Sequence, residues 1–596
     1  MTAAPGDWRP AAATEAIARL STALRPGFGR RSWEEFSTRL ARHGQPLFDL
    51  VHHLYGWRYD FAWIFEDLVQ VAAASFQARR RALRRADQDL EASLDWLSDP
   101  GSLWATAPPD PPLERLVTEL ADQADLEISH LHISSPYPPG LRRLARQVRE
   151  LQIGLVLDLN CHQTNSDHPW AQAATAGDPR FRAFYHIFPD RVRPDRYARH
   201  LQERRAGPGG DSFTWHPDVN GGAWVWTTGH PDRWDLDYAN PAVLKAMAAE
   251  VLSLANLGAA VIRLDGARFL WKAEGTSCED LPESHLVVQI MRVLTDLAAP
   301  SVLFLAGGGS DEAASFTSME ECRLAYNHVL MSSVWEAQAT GDVRLLRVAL
   351  GQRFELPPGC TWITFLRSDE HLAWEFADDD ARQLGIDPLA HRDYLTQFYG
   401  GTWPGSYSSG VISRPTPATC PTISGSVAAL AGLERAIGAI DPVATDLALR
   451  RILAGLAVII GAGGIPLLPL GGQGRLWETD DRIDPVEIAA SREGPEHRGE
   501  GPEEMLRAGV AHLLAVRRRL SGFGPDVVPS PLDPGDLGVA AFRRGPVLVF
   551  VNLTGRTTLI SRAGLPAGPF YDHVRGEEWE EPVLGPYEYR FVGINP

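Results

Sequence analysis

The feature that most constrains the fold is an alternation of strand-like and helix-like segments that starts near residue 110. Short β-branched runs, GLVLDLN, AAVIRLDGA, SVLFLAG and GGIPLLPL, are separated by helical stretches such as PPGLRRLARQVRELQ and PAVLKAMAAEVLSLANL. This alternation predicts an α/β fold in which helices pack outside a parallel sheet. Irregular insertions near residues 168–240 and 385–430 follow strands, which is where a (β/α)8 barrel builds its site. The sequence therefore predicts a (β/α)8 TIM barrel over residues 96–525.

Two further domains are predicted on either side of the barrel. Residues 1–95 carry apolar side chains at helical spacing with charged faces between them, which indicates a helical N-terminal domain. Residues 526–596 contain alternating runs, LGVAAFRRGPVLVFVNLTG and PYEYRFVGI, with no helical pattern between them. The pattern predicts a C-terminal antiparallel β-sandwich.

Composition excludes several classes of partner and cofactor. The net charge of −18 over 596 residues argues against nucleic acid, whose binding depends on clustered Lys and Arg. Five scattered cysteines form no CxxC pair, so we expect neither a disulfide framework nor a metal site. The N-terminus shows no signal-peptide pattern, and glycines and prolines interrupt the longest apolar stretch. We expect a cytoplasmic protein without a cofactor that binds neither nucleic acid nor membrane.

The segment VIRLDGARFLWK carries the clearest chemical signal. Arg263 and Asp265 are two residues apart on a predicted strand, so both side chains point to the same face. A guanidinium beside a carboxylate at a barrel strand end would keep the acid ionised and orient it as a nucleophile. On spacing alone, a structural ion pair at a strand end explains these two residues equally well.

Several long segments resemble the amylosucrases, a branch of the α-amylase superfamily of glycoside hydrolases and transglucosidases. They include FLWKAEGTSCEDLPESHLVVQ, FYHIFPDRVRPDRY and VAALAGLERAI, and the resemblance covers nearly the whole chain. It implies retaining glucosyl transfer from sucrose to an α-glucan through a covalent glucosyl-enzyme. It also implies that Asp265 is the nucleophile and that Arg263 is the arginine that serves it.

The same resemblance indicates that the general acid of the family is missing from this sequence. The general acid of the family is a glutamate at the end of the next barrel strand, and aligning VLFLAGGGS with that strand puts Gly307 at its position. A phosphate-binding loop is the competing interpretation of the glycine run, but GGGSDEAA lacks the GxxxxGK[ST] pattern and its lysine. The catalytic motif is therefore degenerate.

Other substrate-binding signatures of the family are altered as well. The strand VLDLN keeps Asp158, whereas the Asn-His pair that follows it in the family reads His162 and Gln163. By resemblance these three residues belong to the substrate-binding set.

The family motif His-Asp-Asp-Ile-Gly-Trp lies in a segment that begins after Arg367 and ends at Trp374, two further predicted substrate-binding residues. Its first three positions read Asp369, Glu370 and His371. The aspartate that stabilises the transition state falls on Glu370, and a shift of one residue would place Asp369 in that role instead.

Three functional hypotheses follow. The first is an impaired pseudoenzyme that binds a small molecule, an oligosaccharide or a protein partner, including a homo- or hetero-oligomer. The second is a barrel enzyme rebuilt for another reaction around Asp265, Glu370 and His371. The third is an active retaining α-glucosyltransferase or hydrolase with a displaced acid, for which Asp311 and Glu312 are the nearest candidates after the glycine run.

Overall fold

The structure is a computed structural model of the protein. It describes residues 8–107, 113–134, 140–201, 212–219, 221–368, 372–413, 421–470, 501–561 and 569–594.

Eight parallel strands form a closed barrel in which spatial order follows chain order. The strands are β1 (Trp104–Thr106), β2 (His130–Ile133), β3 (Gly154–Asn160), β4 (Ala259–Asp265), β5 (Leu303–Ala306), β6 (Leu324–Tyr326), β7 (Thr361–Thr364) and β8 (Ile465–Pro469). Their sequences are nearly continuous apolar runs because parallel strands are covered on both faces. The predicted (β/α)8 barrel is confirmed.

Helices lie between successive barrel strands, and the last one described follows β8. They are Leu113–Asp122, Leu141–Glu150, Pro241–Leu257, Pro282–Ala298, Ser310–Phe316, His328–Thr340, Arg344–Leu350, Asp378–Gln383, Pro388–Tyr399, Val427–Ala431, Leu433–Gly438, Pro442–Ala462 and Pro502–Arg519. The helix that leads into β4 begins where Asn240 accepts a hydrogen bond from the Ala242 N–H and a proline occupies the first turn. No helix in the described ranges has both the length and the apolar character needed to cross a bilayer.

One compact unit contains the N-terminal helices and the strands β3, β4 and β5. The N-terminal helices are Arg9–Leu24, Arg30–Tyr55, Phe61–Ala78, Arg81–Gln88 and Leu90–Ser93. The Arg79 guanidinium forms a buried ion pair with Asp87 at 2.5 Å and donates to the Ala255 carbonyl at 2.8 Å. Through Arg79 the N-terminal helices are bound to the helix that precedes β4.

The same unit contains the insertion between β3 and β4. Two small antiparallel sheets form it, with strands Gln163–Asn165 and Arg233–Asp235 in one and Ile187–Phe188, Phe213–His216 and Ala223–Trp226 in the other. Short helices Pro169–Thr175, Pro179–Arg182 and Val192–Ala198 complete it. An aromatic cluster around Tyr197 and Trp226 forms its core, so the insertion is a packed subdomain rather than an open loop.

The second compact unit contains β1, β2, β7, β8 and the C-terminal domain. A six-stranded antiparallel sheet is built in the order Ser530–Pro531, Val539–Arg544, Val547–Asn552, Tyr589–Ile594, Phe570–Asp572 and Glu577–Trp579. The two-stranded sheet Thr558–Leu559 with Val583–Leu584 shares its apolar core. The predicted antiparallel C-terminal domain is confirmed.

Candidate functional site

The carboxyl ends of β3, β4 and β5 bring together the residues that the sequence singled out. Asp158 lies opposite Arg263, and Asn160 lies opposite Asp265, in the register of β3 with β4. Gly307 directly follows β5, and its N–H donates to the Leu264 carbonyl at 3.0 Å. Residues far apart in the chain therefore meet at one edge of the sheet because parallel strands end at the same level.

The Arg263 side chain connects the ends of β3, β4 and β5 through hydrogen bonds. Its guanidinium donates to Asp158 Oδ2 at 2.9 Å and to the Gly307 carbonyl at 2.7 Å. The two side chains are only 7% and 9% exposed, so the direct ion pair and the added hydrogen bond offset the cost of removing them from water. These contacts give Arg263 a structural role in addition to the one predicted for it beside Asp265.

Asp265 ends β4 with a partly exposed side chain. The Asn160 amide donates to its carboxylate at 3.4 Å, and the Cys161 N–H donates to its main-chain carbonyl at 3.1 Å. Asn160 was not singled out in the sequence, although it shares a strand face with Asp158 two residues earlier. A supported carboxylate that solvent can reach is the arrangement that a nucleophile requires.

The neighbouring thiol is held in its neutral form. Cys161 is fully buried, and burial, reinforced by the carboxylates of Glu312 and Asp265, raises the pKa of its thiol well above the ordinary value. A neutral, buried thiol is a poor nucleophile.

The position predicted for the general acid has no room for a side chain. A Cβ on Gly307 would lie 2.5 Å from the Leu264 carbonyl oxygen and 3.1 Å from Asp265 Cα. Both obstacles are main chain, which cannot rotate away. The end of β5 therefore lies closer to β4 than a glutamate at this position would allow.

A second carboxylate lies against the glycine run. Glu312, in the helix Ser310–Phe316, is 2% exposed, and its Oε2 lies so close to Gly308 that a Cβ there would clash with it. Burial of a carboxylate here is costly unless protein groups surround it. Glu312 was one of the candidates for a displaced acid in the sequence, beside Asp311, Glu370 and His371.

The far end of that helix is held by a charged cluster. Ser315 Oγ donates to Asp280 at 2.7 Å, and the Phe316 ring stacks on His285 with 4.1 Å between ring centroids. His285 lies between Asp280 and Glu321, and its bond with Glu321 raises its pKa despite partial burial. These contacts fix the orientation of the helix that carries Glu312.

The pair predicted at the family's Asn-His position is bound within the protein. The His162 ring lies where a Cβ on Gly266 would be, which a glycine at φ +75° permits. Burial lowers the pKa of His162 to about 4, so the imidazole is neutral near pH 7. The Gln163 amide donates to Asp235 Oδ1 at 2.9 Å and to the Thr228 carbonyl at 2.5 Å.

A buried ion pair completes that network. Lys272 Nζ lies 2.9 Å from Asp235 Oδ2, and both side chains are excluded from solvent. Burial by itself would raise the pKa of Asp235, but Lys272, His162 and the amide of Gln163 outweigh it and lower the pKa overall. Asp235 and Lys272 were missed in the sequence, although Lys272 closes the VIRLDGARFLWK segment. The network joins the insertion to the chain that follows β4.

Arg367 and Trp374 lie in the second compact unit. Arg367 Nε donates to the Gly425 carbonyl at 3.1 Å, whereas Trp374 is 6% exposed and its indole N–H donates to Thr396 Oγ1 at 3.1 Å. The Trp374 ring also packs against Tyr399, so protein contacts account for its position.

Asp369, Glu370 and His371 fall outside the described residues, and their roles stay predictions. Within the described part of the chain, no three or more His, Cys, Asp or Glu side chains are grouped so that they could hold a metal ion.

Comparison with known proteins places this geometry in a family. No protein-family model matches the chain. The chain is 30% identical over 521 residues to the glucosylglycerate phosphorylase of Allomeiothermus silvanus, a match that covers 81% of this chain and 88% of that protein. It is 27% identical over 237 residues to the trehalose synthase/amylase of Mycobacterium tuberculosis, which covers 39% of each chain.

Solved structures show the same fold at low sequence identity. The sucrose 6F-phosphate phosphorylase of Thermoanaerobacter thermosaccharolyticum is 14% identical with a TM-score of 0.54, covering 76% of this chain and 93% of that one. The isomaltulose synthase of Klebsiella sp. is 14% identical with a TM-score of 0.53, covering 84% and 99%. Because 81% of the chain matches a curated relative at 30% identity and these solved structures share its fold, the protein belongs to the α-amylase superfamily.

Proposed function

We propose that the protein binds an α-glucoside at the carboxyl ends of β3, β4 and β5, and that it is catalytically impaired toward ordinary glycosides. Asp265 is the nucleophile in this proposal, and Asn160 supports it through the 3.4 Å hydrogen bond. The observation that carries the proposal is the close approach of main chain at Gly307, which leaves no space for the expected acid.

Loss of the general acid is expected to lower the reaction rate strongly. General acid catalysis contributes about 10²–10⁴-fold to the rate of such reactions. A catalytic group placed elsewhere must still reach the leaving oxygen, and a misplacement of about 1 Å can cost roughly a hundredfold. Binding depends less on the acid, so an α-glucoside can bind at a site that does not turn it over.

The ligand class follows from the relatives. The curated proteins most useful here are named for glucosylglycerate and trehalose, both of which contain a glucosyl group. The resemblance to the amylosucrases adds sucrose and α-glucans. We therefore assign the site to a glucosyl unit linked to a variable partner.

A second candidate function is an active retaining transglucosidase in which Glu312 supplies the proton. Its buried carboxylate beside Gly308 is the observation that favours it. Retaining enzymes hold their two carboxyl groups about 5 Å apart, a separation that Glu312 would have to reach from the helix after β5.

The two candidates differ in turnover. We would titrate the full chain with sucrose, trehalose and maltotriose by calorimetry and measure glucose release from each. The proposal expects binding with turnover near background, unchanged in a Glu312→Gln variant. Turnover at the rate of an intact transglucosidase that is abolished by both Asp265→Asn and Glu312→Gln would establish the second candidate, and absence of binding to any α-glucoside would reject both.

A further inference from the structure

The three-stranded sheet of the insertion carries four aromatic side chains on one face. Phe213 lies opposite Trp226, and Trp215 lies opposite Trp224, in the register of two neighbouring strands. Residues two apart on a strand point to the same face, as do residues directly opposite each other. Phe213 and Trp226 belong to the buried core of the insertion, where Tyr197 packs on the Trp226 ring with 4.9 Å between centroids. The same face continues past this core to Trp215, which solvent reaches.

Trp215 is held in place although 44% of it is exposed. Its ring lies over Gly222, where an added Cβ would be 2.2 Å from Trp215 Cζ2, and a φ of +117° favours glycine there. The Trp224 ring lies on another side, with 5.5 Å between centroids and the two ring planes inclined at 60°. An exposed indole that its neighbours already fix loses little conformational entropy when a ligand stacks on it.

A charged pair borders these two tryptophans. The Arg191 guanidinium lies 4.5 Å from the centroid of the Trp224 ring and donates to Asp195 Oδ1 at 2.9 Å. The guanidinium extends the flat surface of the indole. The Asp195 side chain is 56% exposed, so its carboxylate can accept hydrogen bonds from the hydroxyl groups of a ligand. Because the two charges compensate each other, the border does not select an ionic ligand.

We propose that the aromatic ledge formed by Trp215, Trp224, Arg191 and Asp195 binds a chain of α-linked glucose residues, as in amylose. A glucose ring offers a face of C–H groups that packs on an aromatic ring, and a rim of hydroxyl groups that form hydrogen bonds. The inclined indole planes fit a chain whose sugar rings turn relative to one another, whereas a flat β-linked chain requires coplanar rings. None of the four residues belongs to the ends of β3, β4 and β5, so the ledge is a second carbohydrate site.

The size of the ledge favours a sugar chain over a second copy of the protein. A stable protein interface buries about 800 Å² on each partner. Two indole rings offer at most about 500 Å² even when they are fully exposed, and Trp224 is partly buried. An apolar surface of this extent matches one or two sugar rings.

The experiment measures how strongly soluble amylose retards the full chain in native gel electrophoresis, with a soluble β-linked glucan as the comparison polymer. Trp215→Ala removes the platform, and Trp215→Phe keeps a ring on it. Trp63→Ala is the matched control, because Trp63 is a more exposed tryptophan, on the N-terminal helix Phe61–Ala78. Calorimetry with sucrose and trehalose reports the strand-end site separately, and sedimentation reports the oligomeric state.

Two neighbouring glycines test the position of the ring. Gly222→Ala places a Cβ against the Trp215 indole, whereas Gly221→Ala adds the same atom where nothing lies within 4 Å. Both residues have positive φ, so the backbone strain of an alanine is common to the two variants. Gly222→Ala should weaken the retention by amylose, and Gly221→Ala should leave it unchanged.

We expect amylose to retard the wild type and Trp215→Ala to weaken the apparent affinity about tenfold, with a smaller loss in Trp215→Phe. Trp63→Ala should have no effect, and sucrose and trehalose should bind all variants as they bind the wild type. Retention by amylose together with no binding of either disaccharide would support the ledge and reject the proposed function.

Three results would overturn the inference. The first is retention by amylose that Trp215→Ala leaves unchanged or that Trp63→Ala weakens equally. The second is retention by the β-linked glucan as strong as that by amylose, which would remove the assignment to an α-linked chain. The third is a wild-type dimer that Trp215→Ala dissociates, since a second copy of the protein would then occupy the ledge.

Discussion

Replacing Gly307 with alanine tests whether the end of β5 has closed against β4. The added Cβ would lie 2.5 Å from the Leu264 carbonyl oxygen, whereas ordinary contact begins at 3.4 Å, so one main chain must move by about 0.9 Å in a packed interior. That movement strains the 3.0 Å hydrogen bond from the Gly307 N–H and the 2.7 Å bond from Arg263.

The expected cost adds two effects. Overpacking a filled interior costs about 1–3 kcal/mol, and weakening one main-chain hydrogen bond costs about 1 kcal/mol. We therefore expect Gly307→Ala to destabilise the protein by about 2–4 kcal/mol. Gly438→Ala adds the same atom where nothing lies within 4 Å, at the end of a helix, and should be neutral or slightly stabilising.

The assay is urea unfolding of the wild type and both variants, compared at their midpoints. A Gly307→Ala midpoint equal to that of Gly438→Ala would refute the close approach and with it the steric argument for the missing acid. In the same series, Gly307→Glu should be at least as destabilised as the alanine variant and should leave sucrose turnover near background. Strong sucrose turnover in Gly307→Glu would mean that the strand end can reopen to accept the acid.

Two further predictions concern buried charges. Lys272→Met should lower the unfolding midpoint by an amount equivalent to about 3–5 kcal/mol, because it leaves Asp235 buried without its cation. Adding Asp235→Asn should recover part of that loss of stability. A double variant no more stable than Lys272→Met would contradict the ion-pair argument. The pKa of His162 is about 4 in the folded protein, against 6.5 for an ordinary histidine. As pH falls, this imidazole therefore takes up its proton in the unfolded chain before it does so in the folded protein. The folded state loses stability between about pH 6.5 and 4 as a result. His162→Gln should remove about 3 kcal/mol of that loss in unfolding measured across this pH range, and an unaltered pH profile would show that the ring is not buried as described.

The amino-acid sequence was sufficient for the fold because its patterns are local. The alternation of β-branched runs and helical stretches indicates which face of each element is buried. This pattern can be read within a short window of sequence, so no information about distant contacts is needed. The barrel and the antiparallel C-terminal domain followed from it. Arg263 and Asp265 were singled out by their spacing on one strand, and Asp158 and Gly307 by the resemblance to the amylosucrases. The parallel strands bring all four positions to one edge of the barrel.

The tertiary structure decided what that edge contains. Sequence showed that Gly307 lacks a carboxylate, but only the 2.5 Å approach to the Leu264 carbonyl shows that the space for one is gone. Likewise, only the structure shows that the amide of Gln163 is bound to Asp235, a residue 72 positions away. Such facts depend on distances between main-chain segments and on buried partners from distant parts of the chain, which no local pattern of residue types can encode.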